Sequence, residues 1–100
     1  MNAAVIVRHK VRDYDTWLPL FQEHGRVRAK YGGLGDQVYR VDGDPNDLIV
    51  VNVFADLDRA KAFSQDPSLR EIMGRAGVIG EPQITFAQKA EEATYPVAVG

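Results

Sequence analysis

The 100-residue chain contains no cysteine, which excludes disulfides, thiolate nucleophiles, zinc ribbons and iron–sulfur sites. Its two histidines, His9 and His24, do not have the spacing of a helical metal-binding pair, so no metal site is expected. Positive charge is not in excess: 12 Lys and Arg stand against 14 Asp and Glu, for a net charge of −2. A nucleic-acid binder concentrates basic surface to release counterions, and nothing of that kind is visible. Ser64 and Ser68 are the only serines, and neither lies in a Gly-x-Ser-x-Gly turn. The apolar run near the start gives way to Arg8, His9 and Lys10, too soon for a signal peptide or a membrane span. A cytoplasmic protein with neither membrane nor nucleic-acid partners is expected.

What is present is globular: 45% hydrophobic and 26% charged residues, enough for one core and one domain. We expect the domain over residues 1–90, followed by a tail over 91–100. In the tail Tyr95, Val97 and Val99 alternate as if to pack along a partner subunit. Two local patterns imitate binding loops without completing them. The run from Asp42 to Asp47 opens like a calcium loop, but Asp47 and Val53 stand where glycine and glutamate are required. Gly74, Gly77 and Gly80 lack the Lys-Ser/Thr of a phosphate loop.

Hydrophobic spacing and turn residues order the elements. Ala3 to Val11 is β-branched and reads as a strand, with Val5, Val7, His9 and Val11 on one face. A helix from about Thr16 to Tyr31 follows, capped by Asp15 or Thr16 so that Pro19 stays near its first turn, and stopped by Gly32-Gly33. Gln37 to Asp42 and Leu48 to Ala55 read as strands joined by a loop over residues 42–47. Asp56 caps a helix carrying Leu57, Ala60 and Phe63, and Asp66-Pro67 opens a second helical segment that Gly77 ends. Gln83 to Gln88 is the last strand. The order βαββαβ is a ferredoxin-like α+β unit, an antiparallel sheet with helices on one face. An RNA-recognition module shares that order, but it needs stacking aromatics on the first and third strands, where only Phe54 is found.

The third strand is apolar on both sides. Leu48, Val50, Asn52 and Phe54 alternate with Ile49, Val51, Val53 and Ala55, so the face away from the helices also needs cover. Leaving it in water would forgo several kcal/mol at about 25 cal/mol per Å². Pairing with a second copy across a two-fold axis covers it, and a homodimer is expected.

The first helix carries the chief anomaly. At about 100° per residue from Trp17, Phe21 falls near +40°, His24 near −20° and Arg28 near +20°. The imidazole and the guanidinium therefore lie within the apolar stripe, four residues apart. A neighbouring guanidinium disfavours imidazolium, so His24 is a candidate general base, with Arg28 placed to stabilise an anion. A packing reading stays open, in which Arg28 sends its head to a carboxylate at the rim and His24 is a bonded core residue. Asn52, the one polar residue of the third strand, needs a partner from the protein, from water or from a ligand. His9 enters the same pocket if its strand face meets the helices. Tyr39 is a candidate hydrogen-bond donor to a substrate, and Trp17, Phe21, Phe63 and Met73 are candidate apolar walls.

Three stretches add a resemblance: Val7-Arg-His-Lys-Val-Arg-Asp-Tyr-Asp-Thr-Trp17, Asp44-Pro-Asn-Asp47, and Met73-Gly-Arg-Ala-Gly-Val-Ile-Gly80 before Pro82. In these the chain resembles the dimeric α/β-barrel superfamily, and within it the small proteins related to antibiotic-biosynthesis monooxygenases and cyclases. The resemblance implies a homodimer with no cofactor, binding a small apolar, aromatic or polyketide-like molecule between helices and sheet. It also implies proton abstraction by His24, or failing that His9, leading to cyclisation or isomerisation. A cofactor-free oxygenation and a non-catalytic binding or assembly role are the alternatives.

Overall fold

Two β-branched strands, β1 (Ala3–Val11) and β3 (Asp44–Phe54), lie side by side at the centre of the sheet. The computed structural model, described over residues 1–96, adds α1 (Tyr14–Glu23), α2 (Gly25–Lys30), β2 (Gly33–Val41), α3 (Leu57–Ser64), α4 (Pro67–Arg75) and β4 (Val78–Gln88). The sheet order is β2-β3-β1-β4 with every neighbouring pair antiparallel, which is the ferredoxin-like α+β fold. Val5, Val7 and Val11 of β1 and Leu48, Val50 and Phe54 of β3 pack against Trp17, Ala60, Phe63 and Ala76 from the helical layer. On the other face Ile6, Ile49, Val51 and Val53 are only half-buried. This second face is thus apolar over Ile6, Ile49, Val51 and Val53, with Arg8, Lys10 and Asp47 at one end, and the described residues of the single chain cover it only in part.

Several boundaries depart from the sequence expectations. The first helix starts earlier, because Asp13 is the N-cap and accepts from the Thr16 N–H at 3.1 Å and from the Thr16 hydroxyl at 2.7 Å. The Asn46 carboxamide supports the same end by accepting from the Tyr14 N–H at 2.9 Å. Pro19 accordingly sits inside α1, where its missing N–H removes one bond of the ladder. The single helix expected to Tyr31 is instead two, divided at His24 and Gly25. There the Arg28 guanidinium donates from Nη2 to the Phe21 carbonyl at 2.8 Å, supplying a side-chain donor where the helical ladder is interrupted.

The outer strands are longer than hydrophobicity alone indicates. β2 begins at Gly33, where a Cβ would come within 2.6 Å of the Arg28 carbonyl oxygen. β3 starts at Asp44, so the expected loop contracts to a turn at Asp42 and Gly43, with Gly43 at φ 86°. Ala55 falls just outside β3. β4 begins at Val78 and carries Pro82, which an edge strand tolerates because no partner requires its N–H. The β1–β4 register shifts between Arg8 and Lys10, placing a bulge over Gly80–Pro82 opposite His9. Asp56 and Asp66 cap α3 and α4 as expected, with Pro67 opening α4. No strand forms in the tail up to residue 96, where Tyr95 is exposed; Val97 and Val99 lie outside the described residues.

Candidate functional site

Between the helical layer and the helix-facing side of the sheet is a cavity of about 60 Å³. Val5, Val7 and Val50 form its floor, and Trp17, Phe21, Phe63 and Met73 are among its walls. The Trp17 and Phe21 rings are stacked with centroids 4.7 Å apart. Past Leu69, Met73 and Ile84 the cavity adjoins a groove of about 730 Å³ between α4 and β4. Helix α4 buries none of its residues fully, so this wall is the least anchored.

Four polar side chains intrude on this apolar space: His9, His24, Arg28 and Asn52, each at most 7% exposed. His9 lies on the helix side of β1, as the alternation of that strand dictates, and meets Trp17 edge-on at 5.8 Å between ring centroids. Among the described residues neither of its ring nitrogens has a hydrogen-bond partner. Burial pushes its pKa below the usual imidazole value, only partly opposed by the Asp47 carboxylate. Asn52 faces the same way, and its Oδ1 also lacks a partner among the described residues. Of the partners open to Asn52, the described residues of its own chain supply none to Oδ1, and Asn52 points to the helices, away from the open sheet face.

His24 is held differently. Its Nε2 lies 2.9 Å from Ser68 Oγ, and its ring stands 5.9 Å from that of Phe63. Burial lowers its pKa most, the Arg28 charge lowers it further and Arg26 adds to this, while Asp66 pulls the other way. The neutral form anticipated from the Arg28 spacing is therefore favoured, with burial as the larger cause. Arg28 is not free for a ligand along its whole fork. Its Nε donates to Asp36 Oδ2 at 3.0 Å, Nη2 donates to the Phe21 carbonyl, and the guanidinium lies 3.9 Å from the Phe21 ring centre. Asp36 is an exposed residue whose side chain is 27% exposed, so this is the rim-carboxylate arrangement. Burial lowers the Arg28 pKa despite the opposing Asp36 charge.

Tyr39 is not at the cavity. It pairs with Ile49 across β2 and β3, which puts it on the opposite sheet face, 54% exposed, with its hydroxyl donating to Gln37 Oε1. The parity of β2 could not be set from the sequence, because the strand's start at Gly33 was not legible. Sequence reasoning missed the polar residues behind His24. Asp66 accepts from the Ser68 hydroxyl at 2.6 Å, from the Ser68 N–H at 2.8 Å and from the Tyr31 hydroxyl at 2.6 Å. These bonds pull its pKa down to about 2. The Asp-Pro-Ser segment carries a helix-cap signal, and only the folded topology shows that the cap also faces His24. Among the described residues no group of three His, Asp or Glu side chains is gathered as a metal site would require.

No protein-family model matches the chain, and no curated protein matches it. Solved structures do. A variant of SnoaB, a cofactor-independent oxygenase from Streptomyces nogalater, superposes with TM-score 0.72 at 14% identity, over 91% of this chain and 95% of that one. A candidate antibiotic biosynthesis monooxygenase from Bordetella bronchiseptica gives 0.73 at 16% identity, over 90% and 98%. Another from Caulobacter crescentus gives 0.71 at 19% identity, over 90% and 91%. The chain shares the ferredoxin-like α+β fold of these proteins. At these identities the likeness concerns the backbone, and what this chain does must be argued from its own side chains.

Proposed function

We propose that this chain is a cofactor-independent enzyme that takes a proton from a small, largely apolar aromatic substrate and passes the resulting anion to oxygen. The observation that carries this is the set of unpartnered polar atoms, His9 Nδ1 and Nε2 and Asn52 Oδ1, buried in an apolar cavity. Leaving such groups unpaired costs about 1–3 kcal/mol each, a penalty that a substrate bearing hydroxyl or carbonyl groups removes on binding. His24, biased towards neutral, is the proton acceptor. His9 and Asn52 orient the substrate. Trp17, Phe21, Phe63 and Met73 bracket its ring once α4, which buries none of its residues fully, moves outward and opens the cavity of about 60 Å³ into the adjoining groove, since one benzene ring needs about 150 Å³. Arg28 contributes its charge to the field in which the anion forms, while its bonds to Asp36 and Phe21 hold α2 against α1 and β2.

An electron-rich phenolate or enolate can itself reduce dioxygen: a carbon–oxygen bond forms as a peroxide, which takes back the proton, loses water as its O–O bond breaks and leaves a carbonyl. One oxygen atom thus enters the product, the other leaves as water, and the substrate supplies all four electrons. Cyclisation and isomerisation are the other fates of such an anion. The oxygenase fate is preferred because SnoaB, with the same fold, is a cofactor-independent oxygenase. The apolar face formed by Ile6, Ile49, Val51 and Val53 is proposed to close against a second copy, making a homodimer with one cavity per subunit.

The test is oxygen uptake with a panel of hydroxylated polycyclic aromatics, run with wild type and His24→Ala. Consumption by wild type and its loss in the variant support the proposal. Conversion without oxygen uptake moves the assignment to a cyclase or isomerase. If no substrate turns over and ligands still bind, the non-catalytic alternative holds.

A further inference from the structure

His24 borders two spaces. It lines the cavity, and it also lines a separate groove between α2 and α4 with Glu23, Arg26, Ser68, Glu71 and Arg75. Ser68 borders this outer groove and not the cavity, so the ring nitrogen bonded to it, Nε2, is the one on the outer side. The direction of that bond follows from counting protons. A serine hydroxyl has one, and the Ser68 Oγ to Asp66 Oδ1 distance of 2.6 Å requires it there, since two lone pairs would otherwise face each other. A charged acceptor also outcompetes a neutral ring nitrogen for that proton. Ser68 Oγ can then only accept from His24, which must carry its hydrogen on Nε2.

We propose that Ser68 and Asp66 are positioning residues for His24: the bond chain from Nε2–H through the Ser68 hydroxyl to the Asp66 carboxylate fixes the imidazole tautomer and leaves Nδ1 as the proton-accepting atom. This deepens the function proposed above and rests on His24 being the base. When Nδ1 takes a proton, the ring becomes imidazolium, Nε2–H stays on Ser68, and the Asp66 charge stabilises the cation. The chain does not carry the proton onward. With its carboxyl held at about 2, Asp66 is far too weak a base to keep a proton that an imidazole has accepted. Tyr31 secures the far side, donating to the other carboxylate oxygen at 2.6 Å, so Asp66 cannot rotate without breaking a second bond. The charged groups around His24 comprise Arg28 and Arg26 on α2, Glu23 on α1, Asp66, and Glu71 and Arg75 on α4. Asp66 is the carboxylate that raises its pKa, against the two arginines on α2 that lower it.

The experiment is nitrogen-15 NMR of the two imidazoles in the labelled full chain, without ligand, at a pH where the rings are neutral. A hydrogen on Nε2 of His24, protected from solvent exchange in wild type, is expected. Ser68→Ala should lose that protection, and Ser68→Thr should restore it. Asp66→Asn should keep a bonded Nε2–H but lower the His24 titration by about one unit, because the acceptor remains and the charge does not. A hydrogen on Nδ1 in wild type, or identical His24 signals in wild type and Ser68→Ala, overturns the proposal. The wild-type measurement needs no variant to fold. Since it involves no substrate, its failure is distinct from failure of the enzymatic proposal, which shows as absent ligand binding or turnover in wild type.

Discussion

Replacing Asn52 by leucine should stabilise the protein while disabling the site. Asn52 is 6% exposed, and its Oδ1 faces an apolar cavity without a partner among the described residues. An unsatisfied buried polar atom costs about 1–3 kcal/mol. The cavity of about 60 Å³ has room for about four waters, and a water bonded to Oδ1 recovers part of that cost. Leucine has the same branched shape, needs no partner, and its larger volume fills part of the cavity against Val5 and Val50. The expected net gain for Asn52→Leu is about 1 kcal/mol, which moves Tm up by about 4–8 °C in a domain of this size. The assay is urea and thermal unfolding at fixed protomer concentration, since self-association would also shift the midpoint. Affinity for hydroxylated aromatics should fall in the same variant. A loss of 1 kcal/mol or more would mean that Asn52 is satisfied in the native protein, and the argument from unpartnered polar atoms would fail with it.

Stability should also depend on pH through the two histidines. Both have folded pKa values lowered below the ordinary 6.5, so folding favours the neutral rings. Their contribution is complete above about pH 6.5 and is lost as the pH falls through the folded values, because the unfolded chain then binds more protons. Urea midpoints should therefore drop between about pH 7.5 and 5.5, and less so in His9→Phe; a flat profile contradicts the buried placement. Arg28→Ala should destabilise by about 2–3 kcal/mol, measured by urea unfolding, because it strips partners from Asp36 and the Phe21 carbonyl. An unchanged midpoint would show that those bonds do not hold the α1–α2 joint. Val51→Lys places a charge in the middle of the open sheet face and should convert a dimer to monomer in sedimentation at micromolar concentration. A wild type that sediments as a monomer at that concentration removes the reason for the second apolar face.

Much of the fold was legible because the central strands declare themselves. β1 and β3 are β-branched and almost continuously apolar, so they read as strands. Val5 with Val7, and Leu48 with Val50 and Phe54, share a face as expected, while only the fold shows that this face meets the helices. The edge strands were less visible for a physical reason. β2 opens with Gly-Leu-Gly and β4 contains Gly80 and Pro82, residues that edge pairing tolerates but that propensity reads as turn. Helical periodicity placed His24 and Arg28 inside the apolar stripe even though the helix breaks between them, since the Arg28 N–H still bonds to the His24 carbonyl at 3.3 Å. It could not show the break itself, which depends on Gly25 and on a tertiary bond from the Arg28 side chain. The side of the sheet occupied by His9 and Tyr39 required strand register, and the pairing of Ser68 with His24 spans 44 positions of chain. No local pattern encodes a contact at that separation.

Trp17, the only tryptophan, lines the cavity and stacks on Phe21, so its fluorescence reports directly on what enters. Titration of wild type with a hydroxylated aromatic, alongside His9→Phe and Asn52→Leu, addresses the central claim without waiting for a substrate to be identified. Saturable quenching at one ligand per subunit in wild type, weakened about tenfold or more in each variant, is the expected result. Quenching that never saturates, or that persists undiminished in both variants, would show that the buried polar groups do not form a binding site.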